Sequence, residues 1–147
     1  MIAFDTNILI YGQEQSDHPK HATAIRLLYA AALTDACIPM QVLGEFINVC
    51  IRKFGLPPAD VIDQVEEYGR LFLCPETRIA DLIDAASLAN KRKLQFFDAL
   101  IITVAARAGA TLLLSEDMQD GLEVAGLTIL NPFNPHNATK VEAALDA

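Results

Sequence analysis

Short apolar runs alternate with longer segments of helical character along the chain. The apolar runs have the length of buried strands and predict five of them, at residues 1–4, 36–38, 71–74, 111–114 and 127–130. The longer segments between them predict helices at residues 17–34, 39–54, 58–70, 77–93 and 98–108. Strands that alternate with helices in this way are typical of an α/β fold with a parallel sheet.

Local signals mark several element boundaries. Asp17, His18 and Pro19 open the first helix, since proline suits the first helical turn. Residues 5–7 read Asp-Thr-Asn and predict a turn after the first strand. Gly109 ends the last helix, which is apolar on nearly all sides, so we expect that helix to be buried.

The length and the apolar content fit one folded domain. The chain has 147 residues, of which 52% are apolar, and this is enough for a substantial hydrophobic core. No flexible linker or internal repeat divides the sequence. We expect a single domain over residues 1–131, followed by a C-terminal tail, 132–147, that forms a short helix or frays.

The sequence has none of the usual marks of a membrane or secreted protein. No apolar stretch reaches the roughly 18–20 residues needed to cross a bilayer. The N-terminus lacks the basic region and the cleavage site of a secretory signal. The cysteines Cys37, Cys50 and Cys74 form no CxxC pair, and their odd number argues against a disulfide framework or a zinc site. We therefore expect a cytoplasmic protein with reduced thiols.

The net charge limits the ways in which the chain can meet nucleic acid. At −8, with a pI near 4.7, the chain is not a protein that coats nucleic acid with its whole surface. A nuclease with a small footprint remains compatible with this charge. The excess of one sign also favours a basic partner.

Two aspartates follow predicted strands. Asp5 comes directly after the first strand, and Asp117 follows the strand at 111–114. In open parallel sheets, ligand sites gather at the carboxyl ends of the strands. The alternative is that Asp5 is a turn or helix-cap residue and that Asp117 belongs to an acidic loop, where Glu116 and Asp120 compete with it.

Two further acids lie on predicted helices. Glu45 shares a helix face with Gln41, Asn48 and Arg52, and this spacing also describes an ordinary solvated face. Asp98 opens a helix that is otherwise apolar. It is either the N-cap of that helix or a carboxylate held at the rim of the core, where a charge needs a partner or a metal.

A parallel α/β fold can bring these acids together at one edge of the sheet. Unpaired carboxylates packed together repel one another, and some of them become protonated. A divalent cation such as Mg²⁺ or Mn²⁺ removes this conflict, because hard cations take oxygen ligands. The candidate metal site therefore consists of Asp5, Glu45, Asp98 and Asp117.

Several segments of the chain resemble the PIN-domain family. They occur in the family's order over residues 1–131 and read Phe4-Asp5-Thr6-Asn7-Ile8-Leu9, Glu45-Phe46, Phe97-Asp98-Ala99-Leu100-Ile101 and Leu114-Ser115-Glu116-Asp117. Within the family, the short chain is most similar to the ribonuclease toxin of VapBC-type toxin–antitoxin pairs. Gln41 stands where a small hydroxyl residue is common, so hydrogen bonding around Glu45 is expected to differ.

The resemblance implies a three-layer α/β/α sandwich with a central parallel sheet of about five strands. It implies that the catalytic, metal-binding acids are Asp5, Glu45, Asp98 and Asp117, with Asn7 and Ser115 as supporting polar residues. It also implies hydrolysis of RNA with one or two Mg²⁺ ions, Mn²⁺ being the substitute. The implied partners are an RNA substrate, a cognate antitoxin protein and a second copy of the chain in a homodimer.

Other functions remain to be weighed. A haloacid-dehalogenase-type phosphatase needs a second aspartate two residues after the first, and position 7 is Asn. A phosphorelay receiver needs an acceptor aspartate after its third strand, and the segment 71–75 has none. The remaining alternative is a catalytically inactive PIN-like module that binds RNA or protein, which predicts little stabilisation by Mn²⁺.

Overall fold

The computed structural model describes residues 1–13 and 18–146. Its strands span Ile2–Phe4 (β1), Ala36–Cys37 (β2), Leu112–Leu114 (β3), Glu123–Val124 (β4) and Leu127–Leu130 (β5). Its helices span Thr6–Gln13 (α1), Pro19–Ala32 (α2), Met40–Arg52 (α3), Pro58–Leu71 (α4), Ile79–Arg92 (α5), Phe96–Arg107 (α6) and Ala138–Leu145 (α7). A short 3₁₀ helix at Pro135–Asn137 precedes α7.

The strands form one sheet in the order β2-β1-β3-β5-β4. Four of them run parallel, and β4 pairs with β5 in the antiparallel sense. This mostly parallel sheet with its helices confirms the predicted α/β architecture. Strand β4 was not predicted; it is two residues long and connects to β5 through Ala125 and Gly126, which both have positive φ.

The core explains why the strands read as continuous apolar runs. Every residue of β1 and β3 is buried, as expected for strands covered on both faces. The helix α6 packs Ile101, Ile102 and Ala105 against this core and buries further residues against α5. The expectation of an apolar, buried helix here is confirmed.

An ion pair joins the first turn of α5 to the last residue of α6. Arg107 donates hydrogen bonds of 2.9 and 3.0 Å to the two carboxylate oxygens of Asp81, which is only 2% exposed. Arg107 also donates to the backbone carbonyl of Glu76, 2.6 Å away. These contacts tie the end of α6 to the start of α5 and to the segment before it.

Two predicted elements are wrong. Residues 5–7 do not form a simple turn, because Thr6 begins α1 and buries Ile8 and Leu9 completely. Residues 71–74 do not form a strand either. Leu71 ends α4, and only Leu73 makes a single parallel bridge, to Cys37 of β2.

The helix α7 packs onto the domain. Val141 and Leu145 of α7 are buried in the main core, so residues in the segment 132–147 form a docked helix. The predicted helix at 17–34 begins at Pro19, with His18 as its N-cap, and Asp17 lies outside the described residues. In the described parts of the chain, every helix is too short or too polar to cross a bilayer.

Candidate active site

The pairing of β1 with β3 places the first two site residues side by side. Phe4 and Leu114 are register partners at the carboxyl ends of these strands, so Asp5 and Ser115 follow at the same edge. The backbone N–H of Asp5 donates to the carbonyl of Leu114 at 3.0 Å. Ser115, which is fully buried, donates its hydroxyl proton to Asp5 Oδ2 at 2.7 Å. The strand register thus brings Asp5 into contact with Ser115, the residue proposed as a supporting one.

Asp5 is a buried carboxylate with a strongly altered acidity. It is 6% exposed and also accepts hydrogen bonds from the backbone of Thr6, at 2.7 Å, and from Asn7 Nδ2, at 3.2 Å. Burial raises the pKa of Asp5 to about 6, even though the bonds from Ser115 and Thr6 act in the opposite direction. The charges of Asp98 and Glu45 raise the pKa further. These two acids are therefore close enough to Asp5 to repel its charge.

Glu45 is oriented by two neutral donors. Thr6 Oγ1 donates to Glu45 Oε2 at 2.6 Å, and Gln41 Nε2 donates to Glu45 Oε1 at 2.9 Å. Gln41 also donates to the carbonyl of Phe97 at 3.4 Å, which connects α3 to the first turn of α6. The departure noted at position 41 thus gives Glu45 a donor on its own helix.

Asp98 is not the N-cap of its helix. Gln95 takes that place, and its side chain accepts the backbone N–H of Asp98 at 3.0 Å. The carboxylate of Asp98 is half-buried, and no donor from residues 1–13 or 18–146 hydrogen-bonds to it. Burial raises the pKa of Asp98, and the charges of Glu45 and Asp117 add to that rise. Asp98 therefore lies in the field of Glu45 and Asp117.

Asn7 links the two sides of the site. Its Nδ2 lies 3.2 Å from both Asp5 Oδ2 and Asp117 Oδ2, and its Oδ1 accepts the backbone N–H of Glu116 at 3.0 Å. Asp117 is exposed at the surface beside this amide. The position of the exposed acid thus depends on a side chain that also holds Asp5.

The two competing acids are engaged elsewhere. Glu116 accepts from Tyr11 Oη at 2.7 Å and pairs with Lys20 Nζ at 2.5 Å. Although burial opposes it, these two donors lower the pKa of Glu116. Asp120 accepts hydrogen bonds from the backbone N–H of Asn131 and from the side chains of Asn134 and Asn137, so it connects the tail to this loop.

Hydrogen bonds connect three of the predicted acids through shared donors: Thr6 binds Asp5 and Glu45, and Asn7 binds Asp5 and Asp117. Electrostatic coupling connects Asp5 with Asp98 and Glu45, and Asp98 with Glu45 and Asp117. Within residues 1–13 and 18–146, no lysine or arginine forms an ion pair with any of the four acids.

Thr6 was not predicted to donate to Glu45, because residues 5–7 were expected to form a turn. The helical spacing of Ile8, Leu9 and Gly12 would have been the signal.

The ligand chemistry of this group suits a hard cation. All candidate ligands are oxygens, and their mutual repulsion is the kind that a divalent ion relieves. The buried Gln41 Oε1 beside Glu45 also lacks a donor among the described residues. The side chains are not closed around an ion, since no three of the described His, Cys, Asp or Glu residues form a coordinating group. The residues fit Mg²⁺ or Mn²⁺ in charge and ligand type, and Asp5, Glu45, Asp98 and Asp117 are the ones that would hold it.

The fold is similar to that of several bacterial toxins in known structures. Mycobacterium tuberculosis VapC20, described as a toxin that cleaves the sarcin-ricin loop, is 20% identical with a TM-score of 0.64, over 80% of this chain and 92% of that one. A toxin–antitoxin complex from Klebsiella pneumoniae is 19% identical with a TM-score of 0.66, over 90% and 98%. Rickettsia felis VapBC2, bound to a fragment of its promoter DNA, is 17% identical with a TM-score of 0.65, over 89% and 98%.

Sequence comparison identifies the family directly. No curated protein sequence matches the chain significantly. The family model of the PIN domain matches residues 2–121, which contain all four candidate acids and both supporting residues. The chain therefore belongs to the PIN domain family.

Proposed function

We propose that this protein is a metal-dependent endoribonuclease, the toxin of a type II toxin–antitoxin pair. The observation that carries the proposal is the environment of Asp5. This buried carboxylate accepts hydrogen bonds from Ser115 and Asn7, and the negative charges of Asp98 and Glu45 raise its pKa. Membership of the PIN family and a fold shared with proteins described as toxins support the same function.

The reaction is hydrolysis of an RNA phosphodiester with the help of Mg²⁺ or Mn²⁺. When bound, such an ion supplies a Lewis acid for the phosphate and lowers the pKa of water. Asp5 and Glu45 are the fixed side chains of the site, since each of their carboxylate oxygens already accepts a hydrogen bond. Their role is to hold the cation in a constant place.

The other two acids have more freedom. Asp98 has no hydrogen-bond donor in the described structure, and Asp117 is held only by Asn7. We assign to Asp98 the orientation of the attacking water, because its carboxylate accepts no hydrogen bond from the described residues and both of its oxygens are therefore available. Asn7 and Ser115 keep the carboxylates around that water in place.

The second candidate function is a PIN-like module that binds RNA or protein without cutting. The observation in its favour is that no three of the described acids already form a coordinating group. Metal binding separates the two functions. A competent site gains stability with Mn²⁺ through mass action, by about 2.7 kcal/mol at a hundredfold excess over the Kd, whereas an inactive module gains little.

The proposed partners follow from charge and surface. An acidic site attracts arginine or lysine side chains, so we propose an antitoxin that inserts such a residue into it. For self-association, α5 presents an apolar stripe with no cover in the single chain: Ile79 is 78% exposed and Ile83 is 65% exposed, with Leu82 beside them. A homodimer through this stripe predicts a monomer on light scattering for Ile83→Glu.

The proposed function is tested by RNA cleavage with matched variants. The purified chain is incubated with total RNA in Mg²⁺ or Mn²⁺ and, separately, in EDTA. We expect metal-dependent fragments from the wild type and none from Asp5→Asn. Asp84→Asn removes a carboxylate from the exposed side of α5 and is expected to cut as the wild type does. Equal cleavage by Asp5→Asn and wild type would falsify the assignment of the site.

A further inference from the structure

We infer that Lys20 and Tyr11 are positioning residues, which turn Glu116 away from the candidate metal site and thereby fix the loop that carries Asp117. This inference rests on the proposed function, because it concerns the ligand set of the same site. It explains how a chain with adjacent acids at positions 116 and 117 presents only one of them to the site. It also gives a role to the only lysine or arginine that bonds to this loop in the described structure.

Both carboxylate oxygens of Glu116 and its backbone N–H take part in hydrogen bonds. Oε1 accepts the phenol of Tyr11 at 2.7 Å, and Oε2 pairs with Lys20 Nζ at 2.5 Å. The backbone N–H of the same residue donates to Asn7, whose amide also reaches Asp117. The loop is therefore bound to α1 at Asn7 and again one helical turn later at Tyr11. Both anchors must be in place for Asp117 to keep its position.

The cation that pairs with Glu116 is itself held by aromatic rings. Lys20 Nζ lies 5.1 Å from the ring centre of Tyr11 and 5.4 Å from that of Phe133. The rings of Tyr11 and Phe133 pack edge to face with their centres 5.1 Å apart, and the His18 ring centre is also 5.1 Å from that of Tyr11. Contacts of this type favour a cation over the ring face. Lys20 is thus held by two aromatic rings as well as by the charge of Glu116.

The physical need for this arrangement is charge balance. The acid group already holds four carboxylates with no cationic partner in the described structure, and Glu116 follows directly in the same loop. Without Lys20, a fifth unpaired carboxylate would stand next to Asp117. It would either compete for the cation or push the loop away, because like charges at short range disfavour one another. Lys20 neutralises this carboxylate, and Tyr11 sets its direction.

The test measures Mn²⁺ binding by calorimetry, with no dependence on RNA cleavage. Lys20→Met is expected to weaken Mn²⁺ binding by about 10- to 100-fold, the usual cost of losing a group that orients a metal ligand. The double variant Lys20→Met with Glu116→Gln is expected to regain most of the loss, because the neutral amide needs no counter-charge. The matched control is Arg26→Met, at a position on α2, the helix that also carries Lys20. This substitution breaks the 2.6 Å ion pair between Arg26 and Glu142 of α7, away from the site. It should bind Mn²⁺ as the wild type does.

The outcomes separate this inference from the proposed function. If the wild type and Asp5→Asn bind Mn²⁺ equally, or neither binds it, the proposed metal site itself is refuted. If only Asp5→Asn loses binding and Lys20→Met matches Arg26→Met, the positioning role alone is refuted. A Lys20→Met variant with normal Mn²⁺ affinity and a raised KM for RNA would also overturn the inference, since it would mean that Lys20 contacts the substrate. A double variant no better than Lys20→Met would exclude the role assigned to Glu116.

Discussion

The metal-free protein should be less stable at neutral pH than at acidic pH, because the buried carboxyl group of Asp5 must lose its proton. Asp5 has an ordinary pKa of 3.8, and burial raises this to about 6 in the fold. Between these values the folded protein keeps a proton that the unfolded chain has lost, so the free energy of unfolding falls as the pH rises. This decrease in the free energy of unfolding is essentially complete above pH 6 and absent below pH 3.8. At 1.36 kcal/mol per pH unit, the difference corresponds to about 3 kcal/mol.

The substitution Asp5→Asn removes this titration. The asparagine cannot accept all the hydrogen bonds that reach Asp5, and an unmet bond costs about 1–3 kcal/mol at every pH. The informative quantity is therefore the difference in unfolding free energy between variant and wild type, followed from pH 4 to pH 7.5. We expect this difference to shift in favour of the variant by about 2.5 kcal/mol over that range, because a small part of the effect already lies below pH 4.

The assay is urea unfolding in EDTA, read by circular dichroism at a series of pH values. Groups that titrate alike in both proteins cancel in the difference. A constant difference across the range would refute the burial argument, since it would mean that Asp5 titrates normally in the fold. With saturating Mn²⁺ at pH 7.5, the order should reverse, because only the wild type gains stability from the ion.

Further expectations concern the surroundings of the site. Arg107→Met leaves the carboxylate of Asp81 buried without its cation, so we expect a loss of about 3–5 kcal/mol in urea unfolding, partly recovered by adding Asp81→Asn; an unchanged midpoint would contradict this. The cation holds the pKa of Asp81 below its ordinary range, so the contribution of the pair is present at neutral pH and is lost as the pH falls through that lowered pKa. Ser115→Ala removes a hydrogen bond to Asp5 and should weaken Mn²⁺ binding about 10- to 100-fold, and equal affinity on calorimetry would exclude this supporting role. Asp120→Ala frees the tail, so amide exchange in α7 should quicken while Mn²⁺ affinity stays unchanged.

The part of the fold that follows from local patterns could be predicted from the sequence. Strands β1 and β3 are short and wholly apolar, β5 is apolar except for Thr128, and a polar residue follows each of them. The parallel pairing of β1 with β3 places Asp5 and Ser115 at one edge. The helix α1 was missed because Asp-Thr-Asn favours a turn on local grounds. That helix is held by tertiary burial of Ile8 and Leu9, and burial of this kind overrides local propensity.

The orientation of the acidic side chains could not be predicted from the sequence, for a different reason. The helix-face pattern around Glu45 fits a solvated surface equally well, and what changes its meaning is Thr6, a donor 39 residues away in the chain. Positions 116, 117 and 120 are equivalent as an acidic loop. Their directions are set by Tyr11, Lys20 and the tail asparagines, which only the tertiary fold brings near. Long-range contacts of this kind leave no periodicity to detect.

The central claim is that Asp5, Glu45, Asp98 and Asp117 share a divalent cation. A crystal structure of the protein in Mn²⁺, with anomalous diffraction, tests this most directly. The account predicts an anomalous peak within about 2.0–2.6 Å of oxygens from Asp5 and at least one other of these acids, and no such peak in Asp5→Asn crystals. A peak located elsewhere, or intact wild-type crystals in saturating Mn²⁺ with no peak among these carboxylates, would contradict it.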